Sequence, residues 1–337
     1  HEPSGIQYGA SVREGGLYTI PNMRVGGPYT ITVSYIGYQS QEERDVFLRL
    51  GQNQSVDFTL AVEAIEMMGV EVSGIQEDVL NADRTGAATF IGDDLLMQMP
   101  SIKRSTRDLT RLDPRSDGNF SFAGKNWLYN NISVDGSYFN NAFGLDDPAP
   151  GGQANAESIP FDAVEQVQVS VASFDVTEGG YTGAGINTIT KSGTNEFKGS
   201  VYSFLRNEML QGNKVSGDKV IADPSLFYNQ TGFTFSGPII PNKLFFFVNG
   251  EIERKDDPGS NFVANDGGSL ELGESRVTAE VMDRIKQRMK DVYGYDTGAY
   301  QDYTHNTDNN KLLLKLDWNI NNQHNASLRY NYLDAVR

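Results

Sequence analysis

The feature that most constrains this chain is the alternation in its closing stretch, KLLLKLDWNINNQHNASLRYNYLDAVR. Leu312, Leu314, Leu316, Trp318 and Ile320 fall on one side of a period-two repeat, with Leu313, Lys315, Asp317 and Asn319 on the other. After a short polar turn the pattern resumes, with Ala326, Leu328, Tyr330 and Tyr332 opposite Asn325, Ser327, Arg329 and Asn331. Successive side chains of a strand point to opposite faces, so this pattern predicts strands with one apolar and one polar face. Three earlier segments behave alike. FKGSVYSFLR sets Phe197, Gly199, Val201 and Leu205 on one face; FYNQTGFTFSG sets Phe227, Phe233 and Phe235 against Tyr228, Gln230, Thr234 and Ser236; LFFFVNGEIE sets Leu244, Phe246, Val248 and Ile252 against Asn249, Glu251 and Glu253. Each is about ten residues long, the length that crosses a bilayer as a tilted strand.

The connections support the same conclusion. Only PIIPNK and NNQ join the second strand to the third and the fourth to the fifth, whereas the other two connections are long. Short turns alternating with long loops are the topology of a membrane β-barrel whose turns lie in the periplasm and whose loops lie outside. The apolar face then meets lipid, with Trp318 and the tyrosines at the interface, and the polar face lines the lumen. Open strand edges in hydrocarbon leave backbone groups unsatisfied, so further strands are expected to close the barrel and the chain is expected to be a piece of a longer one.

Composition excludes more than it specifies. Lys plus Arg minus Asp plus Glu is 28 − 44 = −16, which argues against nucleic acid as a partner. With no cysteine there is no disulfide, thiolate chemistry or cysteine-bound metal. No apolar run is long enough for a transmembrane helix, and no signal peptide opens the chain. The histidines His1, His305 and His324 lack zinc spacing, Asp146-Asp147 and Asp256-Asp257 lack a calcium-loop pattern, and GGYTGAGINT lacks the Lys-Ser/Thr of a phosphate loop. No cofactor is expected, and no nucleophile–base or metal constellation supports an enzyme.

Upstream of the alternating segments lie two other regions. In residues 1–62, PYTITVSYIGYQ places Tyr29, Ile31, Val33 and Tyr35 on one strand face and QSVDFTL places Val56, Phe58 and Leu60 on another, which predicts a small antiparallel sandwich lacking its first strand. The motif GGLYTIPNMRVGGPYTITVSYIGYQSQ resembles the carboxypeptidase-regulatory-like module, an immunoglobulin- or transthyretin-like fold found ahead of outer-membrane transporters in Bacteroidetes. Further on, IKRSTRDLTRLDPR predicts an amphipathic helix with Ile102, Leu109 and Leu112 inward and Lys103, Arg104, Arg107 and Arg111 outward. SVDG, then VEQVQV, then GYTGAGINTITKSGTNEFKGSVY resemble, in this order, the end of the plug and the first barrel strand of TonB-dependent transporters, in particular the Oar-like and SusC-like groups.

The resemblance implies a mainly β chain: the sandwich at 1–62, a linker at 63–79, an α+β plug at 80–191, and the first five strands of a transmembrane antiparallel barrel at 192–337. It implies an outer-membrane location, with the amino-terminal module and plug on the periplasmic side. Its implied partners are the periplasmic domain of TonB with the inner-membrane complex that energises it, outer-membrane lipid, an external ligand and, in SusC-like relatives, a SusD-like surface lipoprotein. The implied function is import of a large or scarce ligand, such as an oligosaccharide, peptide or chelate. A structural or adhesive surface barrel is the alternative.

Each candidate site carries two readings. Gly69, Val70, Glu71, Val72, Ser73 and Gly74 (GVEVSG) resemble a TonB box, which adds as a strand to its partner, or form an ordinary linker strand. By resemblance, Asp135 and Glu165 help hold the plug to the barrel wall; otherwise they are a turn residue and a solvated strand residue. Trp127, Tyr138, Phe139, Asn140 and Phe143 offer aromatic and amide contacts to a ligand or pack the plug. Glu251 and Glu253 share a lumen face, as an acid pair at a sugar or, more in keeping with such walls, as charges met by the basic helix or Arg329. VTAEVMDRIKQRMKDVYG, with Val277, Val281, Ile285, Met289 and Val292 on one stripe, predicts a helix capping the vestibule or lying on the membrane.

Overall fold

The computed structural model describes residues 1–49, 53–62, 86–92, 96, 98, 104–118, 120–141, 149–154, 156–173, 179–220, 226–260, 262–321 and 324–337. The amino-terminal module pairs β1 (Gly26–Val33) with β2 (Gln41–Leu48) in one antiparallel ladder. Tyr29, almost fully buried, is its centre, and the Tyr29 hydroxyl donates to the Arg24 carbonyl at 2.7 Å. Residues 56–60 show the expected alternation of burial, yet the segment forms no ladder among the described residues and joins the module through a Tyr38–Val62 bridge, the Gln39 amide on the Ala61 carbonyl and the Tyr18 hydroxyl on the Val56 carbonyl. So short a segment buries too little apolar area to build a thick second layer. Tyr35, expected beside Tyr29, is exposed because β1 ends at Val33.

The inner sheet follows. Its strands are β3 (Gly86–Gly92), β4 (Asn131–Val134), β5 (Ser137–Tyr138), β6 (Val164–Ser173) and β7 (Gly185–Thr190), in the order β3-β6-β7-β4-β5. Only the β4–β7 pair is parallel. A single turn and a half of helix, α1 (Thr106–Thr110), is capped by the Ser105 hydroxyl. It is far shorter than the sequence pattern predicts, because the chain turns at Leu112-Asp113 ahead of Pro114. Leu109 is therefore buried, while Leu112 is exposed.

The wall sheet comprises β8 (Lys198–Asn207), β11 (Phe227–Ile240), β12 (Leu244–Pro258), β15 (Thr304–Asn321) and β16 (His324–Val336), ordered β16-β15-β12-β11-β8 and antiparallel throughout. Between its first two strands lie the two-residue strands β9 (Lys214–Val215) and β10 (Asp218–Lys219). The second long loop holds β13 (Val263–Asn265), β14 (Glu274–Thr278) and α2 (Ala279–Tyr293). The period-two reading is met in burial along β11, β12 and β15, where Phe245, Phe247, Leu313, Lys311 and Lys315 are buried and Phe233, Ile252, Leu316 and Trp318 are exposed, whereas the edge strand β8 and the start of the edge strand β16 are largely exposed on both faces. No described helix is long and apolar enough to cross a membrane.

The two sheets meet in one core. Leu109, Phe122, Ile132, Val134, Val167, Val169 and Ile186 of the inner domain form a cluster that also takes in Phe247 of β12 and Leu313 of β15. Leu313 is the one apolar residue on the otherwise polar inward face of the middle of β15, and its full burial explains the exception. Removing so well packed a leucine side chain costs about 2–5 kcal/mol.

Candidate functional site

The polar contacts between inner sheet and wall gather around Asp135. Asp135 and Gly136, with φ of 47° and 78°, form the two-residue turn between β4 and β5, a geometry that Asp-Gly favours. This left-handed turn fixes the carboxylate beside β7: Oδ1 accepts the Thr190 amide at 2.8 Å and Oδ2 the Thr190 hydroxyl at 2.7 Å. Oδ2 also accepts from Arg329 Nη1 of β16 at 2.8 Å, and Lys315 Nζ of β15 lies 3.7 Å away. The lysine in turn donates to the Thr190 carbonyl at 3.0 Å. Asp135 thus serves as a turn residue and faces two wall cations at once. Lys315 is 8% exposed along its side chain, so its charge depends on this one carboxylate and carbonyl.

A second cluster lies within the wall. Glu251 of β12 stands opposite Lys311 of β15 in register, and Lys311 Nζ donates to Glu251 at 2.8 Å and to Glu253 at 3.1 Å. Tyr202 of β8 reaches the other oxygen of Glu251 at 2.9 Å. Its ring crosses β11 over Gly232, where a Cβ would collide with the hydroxyl and come within 2.5 Å of Cζ. The acids therefore meet neither the basic helix nor Arg329. A lysine of the next strand sits between them, where a bound sugar would need space, and Arg329 is engaged by Asp135.

The plug arginines expected to face outward divide. Arg104 pairs with Asp162 and lies 4.0 Å from the Phe204 ring centroid, with Phe161 and Tyr202 nearby, so it joins inner domain to wall. Arg107 covers Phe120 at 5.2 Å, and Arg111 reaches the Gly118 carbonyl from the surface. In the following loop Asp113 accepts Arg115 N and Nε, both at 2.8 Å. Burial works to raise its pKa, but the hydrogen bonds from Arg115 and Thr89 prevail and hold the carboxyl below its ordinary range.

Of the residues singled out as ligand contacts, Tyr138 is exposed, with its hydroxyl 3.5 Å from the Gly179 carbonyl. Trp127 and Phe139 pack against the inner core. Asn140 accepts the Ile132 amide and donates to Asn131, both at 2.7 Å, so its amide secures β4. Phe143 and the whole of Gly69 to Gly74 lie outside the described residues. Glu165 lies at the start of β6 against the amino-terminal module: a Cβ on Gly26 would come 2.8 Å from its Oε1. Sequence reasoning missed Lys311 and Tyr202, and the partners of Lys315 and Arg104. The two lysines were readable as lumen-facing, but their partners depend on register and on where the inner domain docks.

This architecture, an inner mixed sheet packed against an antiparallel wall with an apolar outer face and a polar inward one, is that of part of a membrane β-barrel with a domain against its inner face. Residues 189–265 match the family described as outer membrane beta barrel domain, and residues 1–61 match the carboxypeptidase regulatory-like domain. The TonB-dependent transporter Oar of Myxococcus xanthus is 26% identical over 247 residues, covering 69% of this chain and 22% of that protein. Among solved structures, the siderophore receptor PirA of Acinetobacter baumannii is 18% identical with a TM-score of 0.46, over 72% of this chain and 31% of that one. The Escherichia coli outer-membrane transporter YddB is 13% identical with a TM-score of 0.45, over 73% and 32%. The chain spans about a fifth of the length of the curated relative. It is similar to a TonB-dependent transporter over most of its length, and its wall sheet belongs to the outer membrane.

Proposed function

We propose that the intact protein imports an external ligand across the outer membrane, with the inner sheet as a plug that TonB displaces at the expense of the inner-membrane proton gradient. One observation carries the reading: among the described residues inner sheet and wall share no backbone ladder, and the polar part of their seam is made by side chains, chiefly Asp135 with Lys315 and Arg329. A ladder must be broken group by group, whereas a seam of side chains lets the plug leave as a unit. The similarity to Oar supports the same reading. No covalent chemistry takes place, and the ligand is an oligosaccharide, peptide or chelate too large or too scarce for passive entry.

In this reading Asp135 tethers the plug, Glu165 stands at its periplasmic base, and the exposed Tyr138 is the remaining aromatic available to a ligand among the described candidates. GVEVSG, upstream of β3, is the coupling segment that adds as a strand to TonB. The long outer loops, where α2 leaves Ile285 and Val292 uncovered, are the seat for a SusD-like lipoprotein.

The test is binding of a peptide spanning Ala64 to Glu77 to the periplasmic domain of the cognate TonB. Micromolar binding that Val70→Pro and Val72→Pro abolish is the expected result, since proline removes the amides that strand addition needs. No binding at millimolar peptide would overturn energised import through this segment and favour a structural or adhesive barrel.

A further inference from the structure

The amino-terminal module does not hang free of the barrel. It touches the short-turn end of the molecule at five places on different elements. The Pro3 carbonyl accepts the Asn195 amide at 3.0 Å, in the link that carries the chain from β7 to β8. Asn195 exchanges two hydrogen bonds with Asn242 of the β11–β12 turn, at 2.7 and 2.8 Å, and Gly5 sits on that pair. Arg24 Nη1 donates to the Gly193 carbonyl at 3.3 Å, while its Nη2 lies 3.7 Å from Asp317 of β15. Asn325 of β16 reaches the Asn22 carbonyl at 3.5 Å, and Gly26 abuts Glu165 of β6.

These contacts fall on both sides of one joint. Gly193 belongs to the link through which the inner sheet becomes the wall, and it is pressed so closely onto β11 and β12 that a Cβ would strike the Phe246 carbonyl and lie 2.8 Å from that of Gly237. Arg24 holds this link with one nitrogen and faces the wall with the other. Its own backbone is held by Tyr29, the largest buried side chain of the module. Arg24 and Asp317 are each about one-fifth exposed along the side chain, so the pair is shielded from solvent screening.

We propose that the amino-terminal module is a clasp across the seam between plug and barrel, pinned by Arg24, and that it must let go before the plug can leave the lumen. The proposal rests on reading the inner sheet as a plug. Because the module joins the chain upstream of GVEVSG, the clasp and the coupling segment lie in sequence on the same side of the plug. Tension on the segment therefore reaches both the module and β3. The module opens the periplasmic exit by undocking, and its contacts set how much force the plug withstands.

These 337 residues contain no cysteine, so within them an introduced pair has no competing partner. A Cβ on Gly5 would lie 3.2 Å from Asn242 Cγ, within reach of a disulfide between Gly5→Cys and Asn242→Cys, at the cost of some strain because both residues have positive φ, 62° and 63°. The experiment uses the intact protein in planar lipid bilayers, with potassium chloride conductance as the probe of an opened lumen while urea is raised. Oxidation should form the cross-link in the resting protein and raise the urea midpoint for conductance by about 1 M, reversibly on reduction. Arg24→Ala, which needs no cross-link, should lower the midpoint. A midpoint that Arg24→Ala leaves unchanged, and that a formed cross-link does not raise, overturns the clasp while leaving the plug in place. No conductance in any variant below the urea concentration that unfolds the barrel overturns the plug itself, and the clasp with it.

Discussion

Asp135 shows how one residue carries a local and a global role. A left-handed turn needs Asp, Asn or Gly, and of these only Asp brings the charge that Lys315 and Arg329 face. Asp135→Asn keeps the turn and leaves a nearly buried lysine without its counter-ion, at a cost of about 3 kcal/mol. We expect the variant barrel to assemble with a loosened plug, read as faster hydrogen exchange at Thr188 and Thr190. Normal protection there would refute the tether. Gly232 makes a narrower case. Gly232→Ala drives a methyl into Tyr202 and toward the Gly250 carbonyl, and overpacking of this kind costs about 1–3 kcal/mol. A lowered urea midpoint for the folded barrel is expected, and an unchanged one would show that Tyr202 moves aside freely. Asp113 gives a pH dependence. Its folded pKa is depressed, so its contribution is present above the ordinary carboxyl value of about 4 and is lost as the pH falls through the folded value. Asp113→Asn should therefore destabilise the inner domain at pH 7 and differ less from the parent at an acid pH below the folded value. Thermal unfolding at both pH values checks the sign.

At the scale of the elements, the wall strands were legible and the contacts between elements were not. Alternation identified Leu312, Leu314 and Leu316 as outward and Lys315 as inward, because a strand offers only two faces. The same pattern could not match Glu251 with Lys311: that register is set across a long loop, where no turn of defined length aligns the strands. The helix around Arg104 was overread, since a periodic run of residues does not reveal that the chain turns before Pro114. Leu313 stood out in the sequence only as an apolar residue on a polar face, and the reason became visible once the inner sheet lay against it. Leu313→Ala should open a cavity in the shared core. Amide exchange should then rise in β6 and β7 while β15, held by ladders on both sides, stays protected; equal loosening of β15 would instead mark Leu313 as a wall residue alone.

Across the whole molecule, depth in the membrane orders the effects of substitution. Leu314 pairs with Val248 along the span, whereas Trp318 pairs with Leu244 beside a short turn. A charge on the lipid face costs about 2–4 kcal/mol near the midplane and falls to about 0–1 kcal/mol at the interface. Leu314→Arg should therefore impair folding of the intact protein into vesicles far more than Trp318→Arg, as measured by the folded fraction at equilibrium. The reverse order would place Trp318, not Leu314, deep in the bilayer.

The core that Phe247 and Leu313 share with the inner sheet also bears on biogenesis. These strands turn one face to lipid and would present bare hydrocarbon to lumen water on the other until the inner sheet covers it. Insertion into the membrane and condensation of the plug therefore favour one another: a wall that arrived first would be wetted where it should be dry, and a plug that arrived first would lack two side chains of its own interior. Assembly of this protein is best regarded as a single cooperative event, with the lumen already filled when the barrel forms.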